Sequence, residues 1–280
     1  MGHDFKKPSV RNLVIGDTSQ IACFFSEPEN TKFISSRDID IDKIISKKWG
    51  KIYLCAAEQR TFLKSVSFND YNVDKTIEII NQIKGSCEQV VVFSTTELWN
   101  KTCGAVNLET PYDFIPTPYI LSKKQMTDII INNPDVYNNV VVLFPFNFNS
   151  TKRSPGFLFH KVFNSIIQKE KIEIGNTYFY RELLHPTYVS NQAILSSNHS
   201  IIGSGRVTFV NDFIRDLYKH FGMKYDDYVK ENLDGFKTNA TRGIFYLETE
   251  RCLYPYNDLL NDTIDDIINI METNNDKPCQ

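Results

Sequence analysis

The 280-residue chain carries no surplus of either charge: 31 Lys and Arg stand against 34 Asp and Glu, a formal net charge of −3. Without a basic excess it lacks the electrostatic footprint for nucleic acid or an anionic membrane surface. Long apolar runs are missing too. Uninterrupted ones reach about five to seven residues, far short of the roughly 20 that cross a bilayer. The opening stretch MGHDFKKPSV is polar and does not read as a signal peptide. Paired cysteines are also lacking. Cys23, Cys55, Cys87, Cys103, Cys252 and Cys279 are scattered with no C-x-x-C among them, so no zinc site or other metal is expected. Cys23 and Cys55 lie in apolar runs and read as buried thiols, a pattern that suits a reducing compartment. By elimination, the expectation is a soluble cytoplasmic protein. Internal repeats and long linkers are absent as well.

What is present is alternation. NLVIG, TKFIS, KIYLCAA, QVVVFST and NVVVLFPF are short, β-branched and apolar on both faces, the mark of buried parallel strands. Between them lie helical patterns such as NDYNVDKTIEIINQIK and TPYILSKKQMTDIIIN. Such alternation predicts an α/β fold with a doubly wound, Rossmann-like parallel sheet. Beyond about residue 150 the pattern loosens. GFLFHKVFNSIIQKEK, TFVNDFIRDLYKHFG and NDTIDDIINIMET predict helices, and the tail ETNNDKPCQ predicts a frayed end. The expected plan is a nucleotide-binding part over 1–150 and a smaller, mainly helical, interleaved part over 151–280.

The first strand runs into GDTSQIA. A Gly-rich strand-to-helix turn lets backbone amides and a helix N-terminus meet a pyrophosphate. Gly16 closes this turn. Ser19 stands where a second glycine would admit the phosphates, and Ala22 where a small residue lets helix pack on strand. Gly16, Thr18, Ser19, Gln20 and Ile21 are therefore cofactor-loop candidates. Ser36 and Arg37 follow about 20 residues later, where ribose selectivity is set. An arginine there favours the 2′-phosphate of NADP over NAD, while the adjacent Asp38 points the other way.

A second constellation lies downstream. VVVFSTTELWN ends a strand in Thr95, Thr96 and Glu97, and PTPYILSKKQ opens a helix containing Tyr119-x-x-x-Lys123. Residues i and i+4 share a helix face. An ammonium beside the phenol favours the phenolate, so Tyr119 can act as acid or base near neutral pH.

Together these motifs resemble the extended short-chain dehydrogenase/reductases of the NAD-dependent epimerase/dehydratase family, over about residues 12–235. YLCAAEQ resembles the strand end that lines the cofactor, at Ala56 and Ala57. Asn72 matches the family's helix asparagine. FPFNFNSTKRSPGF resembles the segment that places Asn147 at the sugar diphosphate. YRELLHPTYV is similar to the segment that puts Arg181 and His185 near the nucleotide. IIGSGRVTFVNDFI resembles the step into the cap helix. YKHFGMKYDDYVK is most similar to GDP-mannose 4,6-dehydratases.

The resemblance implies NAD(P), a nucleotide-diphosphate sugar and a homodimer built on the helices of VDKTIEIINQI and ILSKKQMTDIII. In it Tyr119 takes the sugar 4-hydroxyl proton, Lys123 supports Tyr119 and the nicotinamide ribose, and Thr95 bonds the reacting oxygen. Glu97 removes the C5 proton, as in dehydratases, and Thr96 contacts substrate. The departures are Ser19 for glycine, Leu143 and Phe144 where an arginine precedes the PFN motif, and Thr238 where the family binds the diphosphate with arginine. Lys237 or Arg242 is the substitute. A 4-keto-sugar reductase or epimerase, or a non-catalytic relative that binds a nucleotide sugar, stays open beside the 4,6-dehydratase reading.

Overall fold

The computed structural model describes residues 11–26, 30–61, 67–102, 104–232, 245–247 and 253–275. The chain begins β1 (Asn12–Ile15), β2 (Thr31–Ile34), α1 (Ile41–Ile45), β3 (Trp49–Leu54), α2 (Lys75–Ile83), β4 (Cys87–Phe93) and β5 (Gly104–Val106). It continues through α3 (Pro118–Ile131), β6 (Val140–Pro145), β7 (Asn147–Phe148), α4 (Leu158–Gln168), β8 (Ile172–Ile174), β9 (Tyr180–Arg181), β10 (Leu183–Leu184) and α5 (Pro186–Leu195). It closes with β11 (Ser200–Ile202), β12 (Thr208–Phe209), α6 (Val210–His220), α7 (Tyr225–Tyr228), β13 (Val229–Glu231), β14 (Phe245–Leu247) and α8 (Tyr256–Asn275).

The central sheet has six strands in the order β11-β6-β4-β3-β1-β2. The ladders from β2 to β6 are parallel, with Val14 opposite Phe33 and Tyr53, Ile52 opposite Val90, and Val91 opposite Val141. Consecutive residues such as Val90, Val91 and Val92 are all buried, because a parallel strand has both faces covered. This is the Rossmann-like doubly wound sheet expected from the alternating pattern. From β1 the chain passes to β2 on one side and then to β3 on the other. The ends of β1 and β3 therefore flank the switch point at which doubly wound sheets bind ligands.

Cα packing divides the chain into two units. One comprises residues 1–95, 116–144 and 190–200; the other comprises 96–115, 145–189 and 201–280. The second contains α4, α6, α7, α8 and four short two-stranded ladders: β10 with β7, β12 with β9, β13 with β8, and β14 with β5. No helix among the described residues is long and apolar enough to cross a membrane.

Three expectations are corrected. No α-helix follows the GDTSQIA turn among the described residues; a three-residue 3-10 turn, Ala22–Phe24, stands there. The stretch Glu27–Glu29 lies outside the described residues, and β2 begins at Thr31, so the short connection leaves little chain to wind. Cys23 is exposed, because the turn spends its inward position on Ala22; Cys55 is buried as expected. The tail is helical as far as Asn275 rather than frayed from Glu272.

Gly16 has a positive φ of 100°, and a Cβ built on it would lie 2.7 Å from the Ala56 backbone nitrogen. Gly16→Ala is therefore expected to cost about 2–4 kcal/mol, combining left-handed strain with overpacking against a main chain. Urea unfolding showing a loss below about 1 kcal/mol would contradict this close approach.

His199 sits just before β11. Its Nδ1 accepts the Val142 N–H at 3.0 Å, doing the work of a strand carbonyl. Burial lowers the pKa of His199, so its contribution is present above the ordinary value of about 6.5 and lost as pH falls through the lower, folded value. His199→Gln keeps an acceptor that does not titrate. Between about pH 7 and pH 5 the wild type should lose roughly 0.5–1 kcal/mol more than this variant, a modest figure because the ring is half-exposed. Identical pH profiles in chemical denaturation would refute the assignment.

Candidate active site

The first unit joins the end of β4 to α3. Thr117 caps α3 by accepting the Ile120 N–H, and Pro118 occupies the first turn, where a missing N–H costs nothing. That start places Tyr119 and Lys123 one turn apart on one face. Lys123 is buried at 4% exposure and its Nζ donates to the Phe93 carbonyl at 2.7 Å. Burial pulls its pKa down to about 8, since removal from water disfavours the ammonium. Ser94 and Thr127 hydroxyls meet at 2.8 Å one residue further along. Thr95, the next residue, is buried. Tyr119 is half-buried, with Phe68 edge-on at 6.1 Å.

Asn72 ties this helix to the end of β3. It sits in a π-helical turn, Asp70–Asp74, that leads into α2; such turns recur at functional sites. Its side chain accepts the Glu58 N–H at 2.9 Å and donates to the Glu58 carbonyl at 3.1 Å. The same Nδ2 donates to Ser122 Oγ at 3.1 Å, and Ser122 donates to the Tyr119 carbonyl at 2.7 Å. Ser122 escapes sequence reasoning, because a serine three residues after a tyrosine carries no signal until Asn72 is seen against it.

In the loop after β1, Ser19 Oγ accepts the Ala22 N–H at 3.2 Å and so caps the short turn. Ser19 also hydrogen-bonds the Cys55 thiol, whose pKa burial drives far upward. Lys169 is the only non-glycine of positive φ among the described residues, so Ser19 needs none of a glycine's freedom. Gln20 and Ile21 are buried, Thr18 is exposed, and Ala56 and Ala57 are half-buried. Ser36 is half-buried; Arg37 and Asp38 are exposed, the Arg37 N–H donating to Ser35 Oγ at 3.2 Å. A phosphate here would meet loop amides without a helix N-terminus behind them.

In the second unit, Glu97 lies on a 3-10 turn, Thr96–Trp99. The buried Trp99 anchors this turn by donating to the Thr110 carbonyl at 2.9 Å. Glu97 is half-buried rather than facing solvent, and accepts from Asn100 Nδ2 at 3.3 Å. Asn100 Oδ1 in turn accepts the Ile115 N–H at 2.8 Å, a supporting role no motif announces. The Thr96 hydroxyl donates to the Pro145 carbonyl at 3.2 Å, which leaves only its lone pairs for a ligand.

Arg181, 8% exposed, donates to the Tyr180 carbonyl at 2.9 Å and lies over the Phe179 ring. Burial lowers its pKa, and the nearby Glu97 opposes that effect. Asn147 is half-buried on β7, paired with Leu183 of β10. His185 is 1% exposed and faces Asp266, so it is a core residue of this unit. Lys237, Thr238 and Arg242 lie outside the described residues. Among the described residues no group of three or more His, Cys, Asp or Glu could hold a metal ion.

No protein-family model and no curated protein matches the chain. Solved structures do. A UDP-N-acetylglucosamine 4-epimerase from Methanobrevibacter ruminantium M1, in complex with UDP-N-acetylmuramic acid, matches with a TM-score of 0.78 at 15% identity, over 94% of this chain and 100% of the other. The dTDP-glucose 4,6-dehydratase of Bacillus anthracis, in complex with NAD, matches with a TM-score of 0.71 at 18% identity, over 94% and 98%. RMD from Pseudomonas aeruginosa, complexed with NADPH, matches with a TM-score of 0.73 at 12% identity, over 94% and 100%. The six-stranded parallel sheet, its switch point at Gly16 and these likenesses together show that this chain shares the fold of those three structures.

Proposed function

We propose that this chain is a NAD(P)-dependent enzyme that acts on a nucleotide-diphosphate sugar through oxidation at the sugar C4, of the 4,6-dehydratase type. Lys123 carries the reading. A lysine 4% exposed, one turn from a tyrosine and bonded to a strand-end carbonyl, is costly for folding alone. It fits a group kept to stabilise a phenolate.

The loop Gly16–Ile21, with Ala56, Ala57 and Lys123, fits a nicotinamide dinucleotide, because Gly16 alone admits the main chain of Ala56 beside it. When bound, the cofactor supplies a hydride acceptor. Arg37, exposed just beyond β2, supports NADP. Tyr119 takes the 4-hydroxyl proton, and Thr95 hydrogen-bonds the oxygen left behind. Glu97, with Arg181 in electrostatic reach, removes the C5 proton acidified by the new ketone. Thr96, Asn147, Arg181 and Arg242 hold the sugar nucleotide. A cytoplasmic homodimer through α2 and α3 belongs to the same reading, supported by exposed Leu121 on α3 and exposed Tyr71 in the turn that leads into α2.

A second reading, a 4-keto-sugar reductase or epimerase, is favoured by the short turn after β1. Fewer ordered amides anchor a phosphate there, which suits a cofactor exchanged at each turnover.

The buried ammonium gives a prediction in stability. The penalty on Lys123 is fully present below about pH 8 and is relieved as pH rises toward the unfolded value of about 10.4. Lys123→Met removes about 3 kcal/mol of burial cost but orphans the Phe93 carbonyl at about 1–2 kcal/mol. The variant should be inactive yet about 1–2 kcal/mol more stable than wild type near pH 6, with the difference reversed near pH 10. A variant less stable at both pH values would remove the argument that Lys123 is kept for chemistry.

Tyr119 and Glu97 should separate kinetically. Tyr119→Phe should lose about 10²-fold or more and fail to reduce bound cofactor. Glu97→Gln should still reduce cofactor in a single turnover but neither release water nor exchange the C5 proton with deuterated solvent. Normal turnover by Glu97→Gln would move the assignment to the reductase or epimerase.

A further inference from the structure

The buried stripe of the terminal helix α8 runs Leu259, Thr263, Asp266, Ile267, the i, i+4, i+7, i+8 spacing of a core-facing surface. One member is an acid. Asp266 is 6% exposed, and a buried carboxylate is tolerated only where donors surround it. Two come from Thr151, whose N–H reaches Oδ2 at 2.6 Å and whose hydroxyl reaches Oδ1 at 2.7 Å. His185 lies beside them, with Nε2 at an ion-pair distance of 3.5 Å from Oδ2. The other ring nitrogen, Nδ1, accepts the Thr187 N–H at 3.4 Å and lies 3.0 Å from its hydroxyl. An accepting Nδ1 carries no proton, which places the proton on Nε2, aimed at Asp266.

The two partners of Asp266 are not random core residues. Thr151 lies four residues beyond Asn147, and His185 four beyond Arg181. Asn147 pairs with Leu183, Phe148 with Leu184, and the Asn149 N–H donates to the Leu184 carbonyl at 3.1 Å. The ladder stops there. Just past its end both outgoing chains meet one carboxylate from a third element, through two hydrogen bonds from Thr151 and the ion-pair contact of His185, more than 75 residues away along the chain.

We propose that Asp266 is a positioning residue: a clasp that sets Asn147 and Arg181 relative to each other for the diphosphate of a nucleotide sugar. This rests on the reading that those two residues bind that group. The terminal helix then contributes to substrate affinity without touching substrate.

The test uses the full chain and three probes, UDP, GDP and dTDP, titrated calorimetrically beside NADP. Asp266→Asn should fold, bind NADP as the wild type does, and bind the preferred nucleoside diphosphate on the order of tenfold more weakly, the scale of one hydrogen bond to a charged group. Hydrogen exchange in the variant should quicken in 147–157 and 181–187 together. Thr151→Val, which spares the acid, should weaken the same ligand by less, and should add little in the Asp266→Asn background, as expected for partners in one contact. Unchanged nucleoside-diphosphate affinity in Asp266→Asn, additive effects of the two substitutions, or equal loss of NADP binding would each overturn the clasp. A wild type that binds NADP but none of the three diphosphates would instead overturn the nucleotide-sugar reading, and the role of the clasp with it.

Discussion

The ends of β1 and β3 touch. At Gly16 the main chain turns with positive φ, and the Ala56 backbone lies where any larger residue would put its Cβ. Because β1 pairs with β2 on one side and β3 on the other, that contact lies at the reversal of strand order, and the loops leaving it define the crevice. The chain beyond Ala56 then meets Asn72, which binds both the N–H and the carbonyl of Glu58. Asn72 passes the constraint through Ser122 to the carbonyl of Tyr119. A single run of contacts therefore leads from the glycine turn to the helix that carries the tyrosine and lysine.

Both units keep polar groups in costly places. Lys123 in the first is buried as a cation that donates to the Phe93 carbonyl. In the second, Glu182 is fully buried and burial raises its pKa to about 7, while Ser204 and Gly205 donate to it. Asp266 is buried, with two donors from Thr151 and His185 Nε2 at 3.5 Å. Packing alone favours apolar residues at such positions. Their partners differ: Lys123 donates to a strand-end carbonyl, whereas Glu182 and Asp266 accept the backbone N–H groups of Gly205 and Thr151.

The residue pattern made some of this legible and hid the rest for definite reasons. Val90–Val92 and Val140–Leu143 read as parallel strands because being apolar on both faces is a local property. Tyr119 and Lys123 were visible as a pair because four residues on a helix is a fixed geometry. The helix after Gly16 was read from a glycine turn followed by apolar residues, and the short span to β2 cut it to one 3-10 turn. Cys23 was read as buried from its apolar neighbours, but a tight turn has one inward position and Ala22 holds it. The resemblance puts His185 near the nucleotide, and its packing beside Asp266 is a contact that no motif announces.

Alone, the sequence determined the five strands β1, β2, β3, β4 and β6, the parallel character of their sheet, and the shared face of Tyr119 and Lys123. Each of these depends on period, composition or spacing within a few residues. Only the tertiary structure decided that Lys123 is buried against Phe93, that Asn72 reaches Ser122, that Asn100 stands behind Glu97, and that Asp266 holds Thr151 and His185. Three of these join residues 30 to 115 positions apart, and the Asn100 contact, although local, depends on a turn held in place by the Trp99 bond to Thr110. Such pairings are set by which elements the sheet order brings together, and a polar side chain carries no mark in the sequence of the partner it will find once water has been excluded around it.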